Sequence, residues 1–421
     1  NHPSLLGERN LAVNRKKAKL SQDDLRPNTT NNYRRPVDPS SLMNDANPHN
    51  YHVEERARAM TSLKNMSLDG PNKILMWNDQ EKMDIILTSA APSEPENVRK
   101  QALGIMNNLS FEEKIRDVCY LMDSKFHDRT LESLKSEEST CIKSVGFRLM
   151  SNLSLSQCNH VQMYDDACWI LANISIDEPQ EMRRDAFTTL RRLTSCCSEN
   201  RARFWEEITM RQCLLSAASP QQPASVREQA LRVVGNLALE PLLGVKMWKR
   251  VDGVRELLLD AIAIDNSVPI QEAAIIAIAN LAAYETNQEH MYECAHAQLA
   301  VLCHTNRAAC VRAHALRAFQ RCTQIDAVKR KVGVAWTLDT KSIQWLTNGA
   351  RKVESNEVRL EALCAIANVA KLEENRQHMW RTEWLRNVIL EACQPVVLPG
   401  IPTKNTPAIE KCALEILQQL T

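Results

Sequence analysis

The stretch VREQALRVVGNLA, residues 226–238, decides how this chain is read. Val226, Ala230, Leu231, Val234 and Leu237 recur at helical spacing and form an apolar stripe, while Arg227, Glu228 and Arg232 face elsewhere. Its kernel is a small residue, Ala230, followed six positions later by Asn236 and then an apolar residue. That kernel recurs along the chain. The small residues are Ala59, Ala102, Gly146, Ala186, Ala230, Ala274, Ala315, Ala362 and Ala413, and the polar ones are Asn65, Asn108, Asn152, Arg192, Asn236, Asn280, Arg321, Asn368 and Gln419. Successive spacings are 43, 44, 40, 44, 44, 41, 47 and 51 residues. A period of 40 to 47 residues without strand signals marks a helical solenoid.

Two further segments accompany each such helix. After Ala238 the pair Glu240-Pro241 breaks the pattern, Val245–Val251 carries Met247-Trp248, Asp252-Gly253 punctuates, and Val254–Ile264 (VRELLLDAIAI) predicts another helix. A second mark keeps the same register. Twelve residues after the repeat Asn stands an aromatic: Trp77, Tyr120, Tyr164, Trp248, Tyr292 or Trp380, with Phe204 in the equivalent place after Arg192. An Asn precedes this aromatic region in NKILMW (72–77), NHVQMY (159–164), NRARFW (200–205), NQEHMY (287–292) and NRQHMW (375–380). Aromatics at fixed register between helices read as inter-repeat core.

The phrases VRKQALGIMNNLS (98–110), VREQALRVVGNLA (226–238), IQEAAIIAIANLA (270–282) and VRLEALCAIANVA (358–370) resemble the third helix of armadillo repeats and their HEAT-like relatives, over roughly residues 51–421. The Gly expected between the first two helices survives clearly at Gly253, and two units carry Arg192 and Arg321 in place of Asn. The resemblance implies an all-α fold, a right-handed α-solenoid of about nine armadillo-like repeats. Residues 1–50, rich in Asn, Arg, Lys, Pro and Ser, read as a disordered basic arm, and residues 51–421 as the repeat domain. The Pro-rich QPVVLPGIPTKNTP (394–407) reads as an insertion at a turn, and both ends read as cut from something longer.

Composition narrows the function. The formal net charge of +1 gives no bulk attraction to nucleic acid or membrane, and 44% hydrophobic with 24% charged residues suits a chain with an internal core. No apolar run reaches the roughly 20 residues that span a bilayer. The 14 Cys fall mostly in apolar helical stretches with no Cys-x-x-Cys pair, which reads as free thiols in the cytosol or nucleus. No phosphate-binding Gly loop, His-Glu-x-x-His or nucleophile elbow occurs, so no catalytic residue, cofactor or metal is expected; the spacing of His290, Cys294, His296, Cys303 and His304 matches no zinc module.

Recognition of a protein partner remains. In the armadillo family the repeat Asn faces the concave groove, and an amide supplies both donors and acceptors to a peptide backbone. The resemblance therefore nominates Asn65, Asn108, Asn152, Asn236, Asn280 and Asn368, with Arg192 and Arg321 in the same place. The alternative is that these amides cap helix ends within the fold. Charge on the same segments nominates Arg148, Arg183, Arg184, Arg191, Arg192, Arg227, Arg232, Arg312, Arg317 and Arg321 as a strip attracting an extended, acidic peptide; the alternative is a solvated face paired with Glu and Asp. Trp169, four before Asn173, matches the Trp-x-x-x-Asn arrangement of nuclear-import adaptors, but counting from Gly146 and Asn152 puts it on the second-helix segment. The chain thus reads as a non-enzymatic interaction scaffold. The alternatives are a regulatory segment of a larger multidomain enzyme and a nuclear transport adaptor.

Overall fold

The computed structural model describes residues 45–47, 52–249, 253–304, 306–338, 344–393 and 406–421. Apart from residues 45–47, the expected arm of residues 1–50 lies outside them, as does most of the Pro-rich insertion. Among the described residues the chain is all helix, with no strand. It forms two compact units. The first holds the described residues up to Ile170 with Ile176–Thr189, the second Leu171–Ser175 with Leu190–Thr421.

Each unit repeats a three-helix order. In the first it runs Gly70–Asn78, Gln80–Ser89, Glu96–Leu109 and again Glu113–Met122, Ser124–Glu132, Thr140–Leu153; in the second, Pro241–Lys249, Val254–Ala261, Val268–Leu281 is the clearest instance. The expected break at Glu240-Pro241 is narrower than the sequence suggested. Pro241 is the first residue of the next helix, where its missing N–H is no loss. The helix beginning at Val254 stops at Ala261 and not at Ile264. Two members are fused: His160–Ala172 and the 18-residue Glu285–Leu302 each stand where other repeats have two helices. Trp169 lies on the former, off the third helix as counted, and is 52% exposed.

Local chemistry sets the boundaries. Asp69, Asp79, Asp123, Ser139, Ser355 and Thr406 cap helix N-termini by accepting a backbone N–H with their side chains. Gly253, at φ 80°, enters the left-handed region that ordinary side chains avoid, which explains why this turn kept its Gly.

The third helix of each repeat is the buried spine. Ala59, Ala102, Ala186, Ala230, Ala274, Ala315, Ala362 and Ala413 are all 5% exposed or less, because a larger residue would hold the neighbouring helices apart. At Gly146 even a methyl is excluded: an added Cβ would lie 2.2 Å from Ser133 Oγ and 3.0 Å from the Ser133 carbonyl oxygen. Trp77, Tyr120, Tyr164, Phe204 and Trp248 are buried, as the register mark predicted, while Tyr292 and Trp380 are half-buried. Truncating such a buried ring costs about 3–5 kcal/mol.

Candidate partner-binding face

The repeat Asn side chains turn out to be stitched to the preceding repeat. In the first unit, Asn108 Nδ2 donates to Lys64 O at 3.1 Å and Ser67 Oγ at 2.9 Å, and Asn152 Nδ2 donates to Asn107 Oδ1 at 3.0 Å. In the second, Asn236 Nδ2 donates to Arg191 O at 2.7 Å and Thr194 Oγ1 at 3.2 Å. Asn280 donates to Gly235 O at 3.0 Å, and Asn368 to Gln320 O at 3.1 Å and Thr323 Oγ1 at 3.3 Å. Except at Asn152, which bonds a side-chain amide oxygen, the acceptors are carbonyls near the C-terminal end of the preceding third helix or hydroxyls beside them, and Lys64 O, Arg191 O and Gln320 O also accept from the hydroxyls of Ser67, Thr194 and Thr323. Arg321 fills the Asn role by donating from Nη1 to Ala279 O, so its substitution preserves the inter-repeat bond. Asn65, with no preceding repeat helix among the described residues, is exposed.

These bonds fix each amide and leave part of it open. Asn236 and Asn280 are half-buried, and among the described residues the Oδ1 of neither has a partner or is sealed from solvent. At Asn280 one N–H is free as well, since a single acceptor engages it. At Asn236 and Asn280 the two readings are therefore compatible, because the amide nitrogen bonds the fold and the oxygen stays open, whereas the Asn368 oxygen already accepts from Lys371 Nζ at 3.1 Å.

A second Asn set, visible in the sequence only as a register mark, is wholly structural. Asn287 Nδ2 donates to Leu281 O and Gly244 O, both at 3.0 Å, and Asn375 to Val369 O at 3.0 Å and Lys329 O at 3.1 Å. Asn159 does the same with Leu153 O and Arg116 O, and Asn72 and Asn200 bond the end of the helix before them. Each is at most 6% exposed.

Three members of the expected Arg strip are corrected. Arg183, Arg227 and Arg312 are 6%, 4% and 6% exposed and belong to a buried series three residues before the repeat's small residue, with Arg56, Arg99, Gln271 and Arg359 in the same place. Arg227 is the fullest case. Its Nε donates to Ala218 O at 3.1 Å, Nη1 to Asn266 Oδ1 at 2.8 Å and Nη2 to Asp260 Oδ2 at 2.7 Å. Arg99 bonds Ala90 O and Glu138 likewise, and Arg312 pairs with Glu354. The fork geometry of guanidinium suits this task, closing the end of one helix and the start of the next with a single side chain. A signal existed in the sequence: the Arg precedes the repeat Ala by three residues and the repeat position of the Asn by nine, which at 3.6 residues per turn puts it on the opposite side of the helix.

The remaining arginines are surface groups of mixed status. Arg232 pairs with Glu228 at 2.9 Å and with Glu272 of the next third helix at 3.2 Å. Arg317 pairs with Glu361 at 2.8 Å and Glu357 at 3.2 Å, also on the next third helix. Arg148 is exposed on the first unit, and Arg192 is half-buried. Arg191 and Arg321 differ from these. Burial, and then the Arg232 guanidinium, lower the pKa of Arg191; burial, and then Arg317, do so for Arg321. Each is a cation crowded by another cation in a partly desolvated place, where an added anion relieves both strains. Arg191 Nε is moreover buried without an acceptor.

A stack of three-helix repeats whose third helices are joined by Asn amides is a recognisable architecture. Among solved structures, the chain is similar to an engineered protein from the Northeast Structural Genomics Consortium, with a TM-score of 0.71 and 15% identity over 91% of this chain and 88% of that one. The chain has an armadillo-like repeat fold. Designed armadillo repeat proteins also match, at 20% identity and a TM-score of 0.49 over 62% of this armadillo-like chain; one covers 99% of its own length, and another, covering 98%, was solved in complex with the peptide (KR)4. No family model and no curated protein matches the chain. No helix among the described residues is long and apolar enough to cross a membrane.

Proposed function

We propose that this protein is a non-enzymatic interaction scaffold that holds an extended peptide segment of a protein partner along the third helices of its second unit. The observation that carries the reading is the pair Asn236 and Asn280. Each amide is oriented by a bond to the preceding repeat and presents its oxygen, so the acceptor array is built before any ligand arrives. Packed helices lie roughly 8–10 Å apart, and an extended chain advances about 3.3 Å per residue. Successive amides thus meet a backbone N–H every two to three residues. Carboxylates of the bound segment would sit at Arg191 beside Arg232 and at Arg321 beside Arg317, the two places where cations crowd each other. Selectivity is local, since Glu228, Glu272, Glu357 and Glu361 already neutralise much of the face.

The test uses peptides selected from a random display library on the intact chain, with affinity read by fluorescence anisotropy. Removing two amide contacts through Asn236→Ala with Asn280→Ala should weaken binding by about 1–3 kcal/mol, roughly 5- to 150-fold. Arg191→Glu should select against acidic peptides. Peptides that bind all these variants as tightly as the parent would refute the reading, as would failure to select any.

A further inference from the structure

We propose that Cys364 and Cys412 form a dithiol modification site at which a hydroperoxide closes a disulfide between the third helices of two successive repeats. Cys364 lies on the helix Asn356–Ala370, one turn before Asn368, and Cys412 lies on Pro407–Leu420. Their sulfurs are 3.8 Å apart, with the Cys412 thiol donating to the Cys364 sulfur. A disulfide needs about 2.05 Å. Side-chain rotations therefore have less than about 2 Å to close.

The two thiols are unequal in a way that fits the chemistry. Cys364 is half-buried and open to a small reagent, whereas Cys412 is 7% exposed. The hydrogen bond from Cys412, aided by Lys371 and opposed by burial, Glu361 and Glu415, lowers the pKa of Cys364. The same contact, and then burial, raise that of Cys412 and keep it a thiol. The thiolate is the nucleophile toward peroxide. Cys364 sulfur attacks the terminal peroxide oxygen, the O–O bond breaks, and the sulfur is oxidised by two electrons to a sulfenic acid while the other oxygen takes a proton and leaves, as water from hydrogen peroxide or as the alcohol from an organic hydroperoxide. Cys412 sulfur then attacks the sulfenic sulfur; the S–S bond forms, the S–O bond breaks, and hydroxide departs as water with the Cys412 proton. A thiol reductant reverses the link.

The two residues are 48 apart in sequence, so the bond would staple one repeat to the next across a long chain segment and on the helix that carries Asn368. The test treats the intact chain with a small excess of hydrogen peroxide and maps a non-reducing digest by mass spectrometry. The expected product is a peptide pair joined through Cys364 and Cys412, two hydrogens lighter, lost on adding dithiothreitol, and formed at least about tenfold faster than in the urea-unfolded chain because the fold supplies the proximity. In Cys412→Ser, Cys364 should stall as a sulfenic acid captured by dimedone, whereas in Cys364→Ser position 412 should stay unlabelled. Absence of the joined pair from the oxidised folded chain, or its formation no faster than in the unfolded one, would overturn the proposal even if neither variant folds.

Discussion

Replacing Arg227 by Met tests whether the Arg series is structural. Arg227 is 4% exposed, and its guanidinium makes three hydrogen bonds, to Ala218 O, Asn266 Oδ1 and Asp260 Oδ2. Removing one member of a fully buried ion pair costs about 3–5 kcal/mol. That figure must be reduced, because the Asp260 side chain is 50% exposed and recovers water when its partner leaves. Met also keeps part of the aliphatic packing, so about 2–4 kcal/mol remains, chiefly from the stranded Ala218 carbonyl and the unclamped loop. Arg232→Met is the control on the same helix. Its pairs with Glu228 and Glu272 are about a quarter exposed on both sides, worth at most about 1 kcal/mol. Repeat arrays open locally, so the assay is hydrogen–deuterium exchange of peptides covering residues 224–281 in the intact chain. Arg227→Met should accelerate exchange there by about 30- to 900-fold and Arg232→Met by no more than about fivefold. Acceleration by Arg227→Met of less than about tenfold, or no greater than that of the control, would refute the structural assignment.

Three other outcomes are expected. Gly146→Ala restores the residue that eight other repeats carry and gains about 1 kcal/mol of helix propensity, yet its Cβ would press on Ser133, so thermal unfolding should show a lower midpoint and not a higher one. Asn287→Ala, at a side chain with 0% exposure and two carbonyls to satisfy, should cost about 2 kcal/mol or more in urea unfolding, against about 1 kcal/mol for the half-buried Asn280→Ala. Burial first, and then Arg317, hold the pKa of His314 below its ordinary 6.5, against the opposing pull of Glu357, Glu272 and Glu361. The unfolded chain then takes up a proton that the folded chain refuses, so His314 lowers stability as pH falls through about 6.5 and has no effect well above it. His314→Gln should flatten stability against pH between about 5 and 7.

Much of the candidate face was legible before any coordinates. The Ala-to-Asn phrase placed Asn108, Asn236, Asn280 and Asn368 at one register, and the structure puts each in the same inter-repeat bond. It also showed Arg321, like Arg192, as a departure from the Asn, though not that Arg321 makes an equivalent bond. What a linear pattern could not separate was Arg227 from Arg232. The two are five residues apart on one helix, and rotation by 3.6 residues per turn sends one into the seam between helices and the other to the surface. Composition alone treats both as charge.

The repeat period, the helical class, the turn at Gly253 and the buried aromatics are set by local chemistry: a stripe that must be covered, a backbone angle that only Gly tolerates, and a ring that water rejects. Those constraints act within some 45 residues, and most of them recur from repeat to repeat, although the Gly turn is clear at Gly253 alone among the described residues. Which polar groups are spent and which are left over is decided between repeats. Many amides and guanidinium groups, and the Cys364–Cys412 pair, find a partner in a neighbouring repeat some 40 residues away, as Asn236 does at Arg191 and Cys412 at Cys364. Only packing brings those groups within bonding distance, and so only the tertiary structure distinguishes the atoms that hold the array together from those it leaves open, such as the amide oxygens of Asn236 and Asn280.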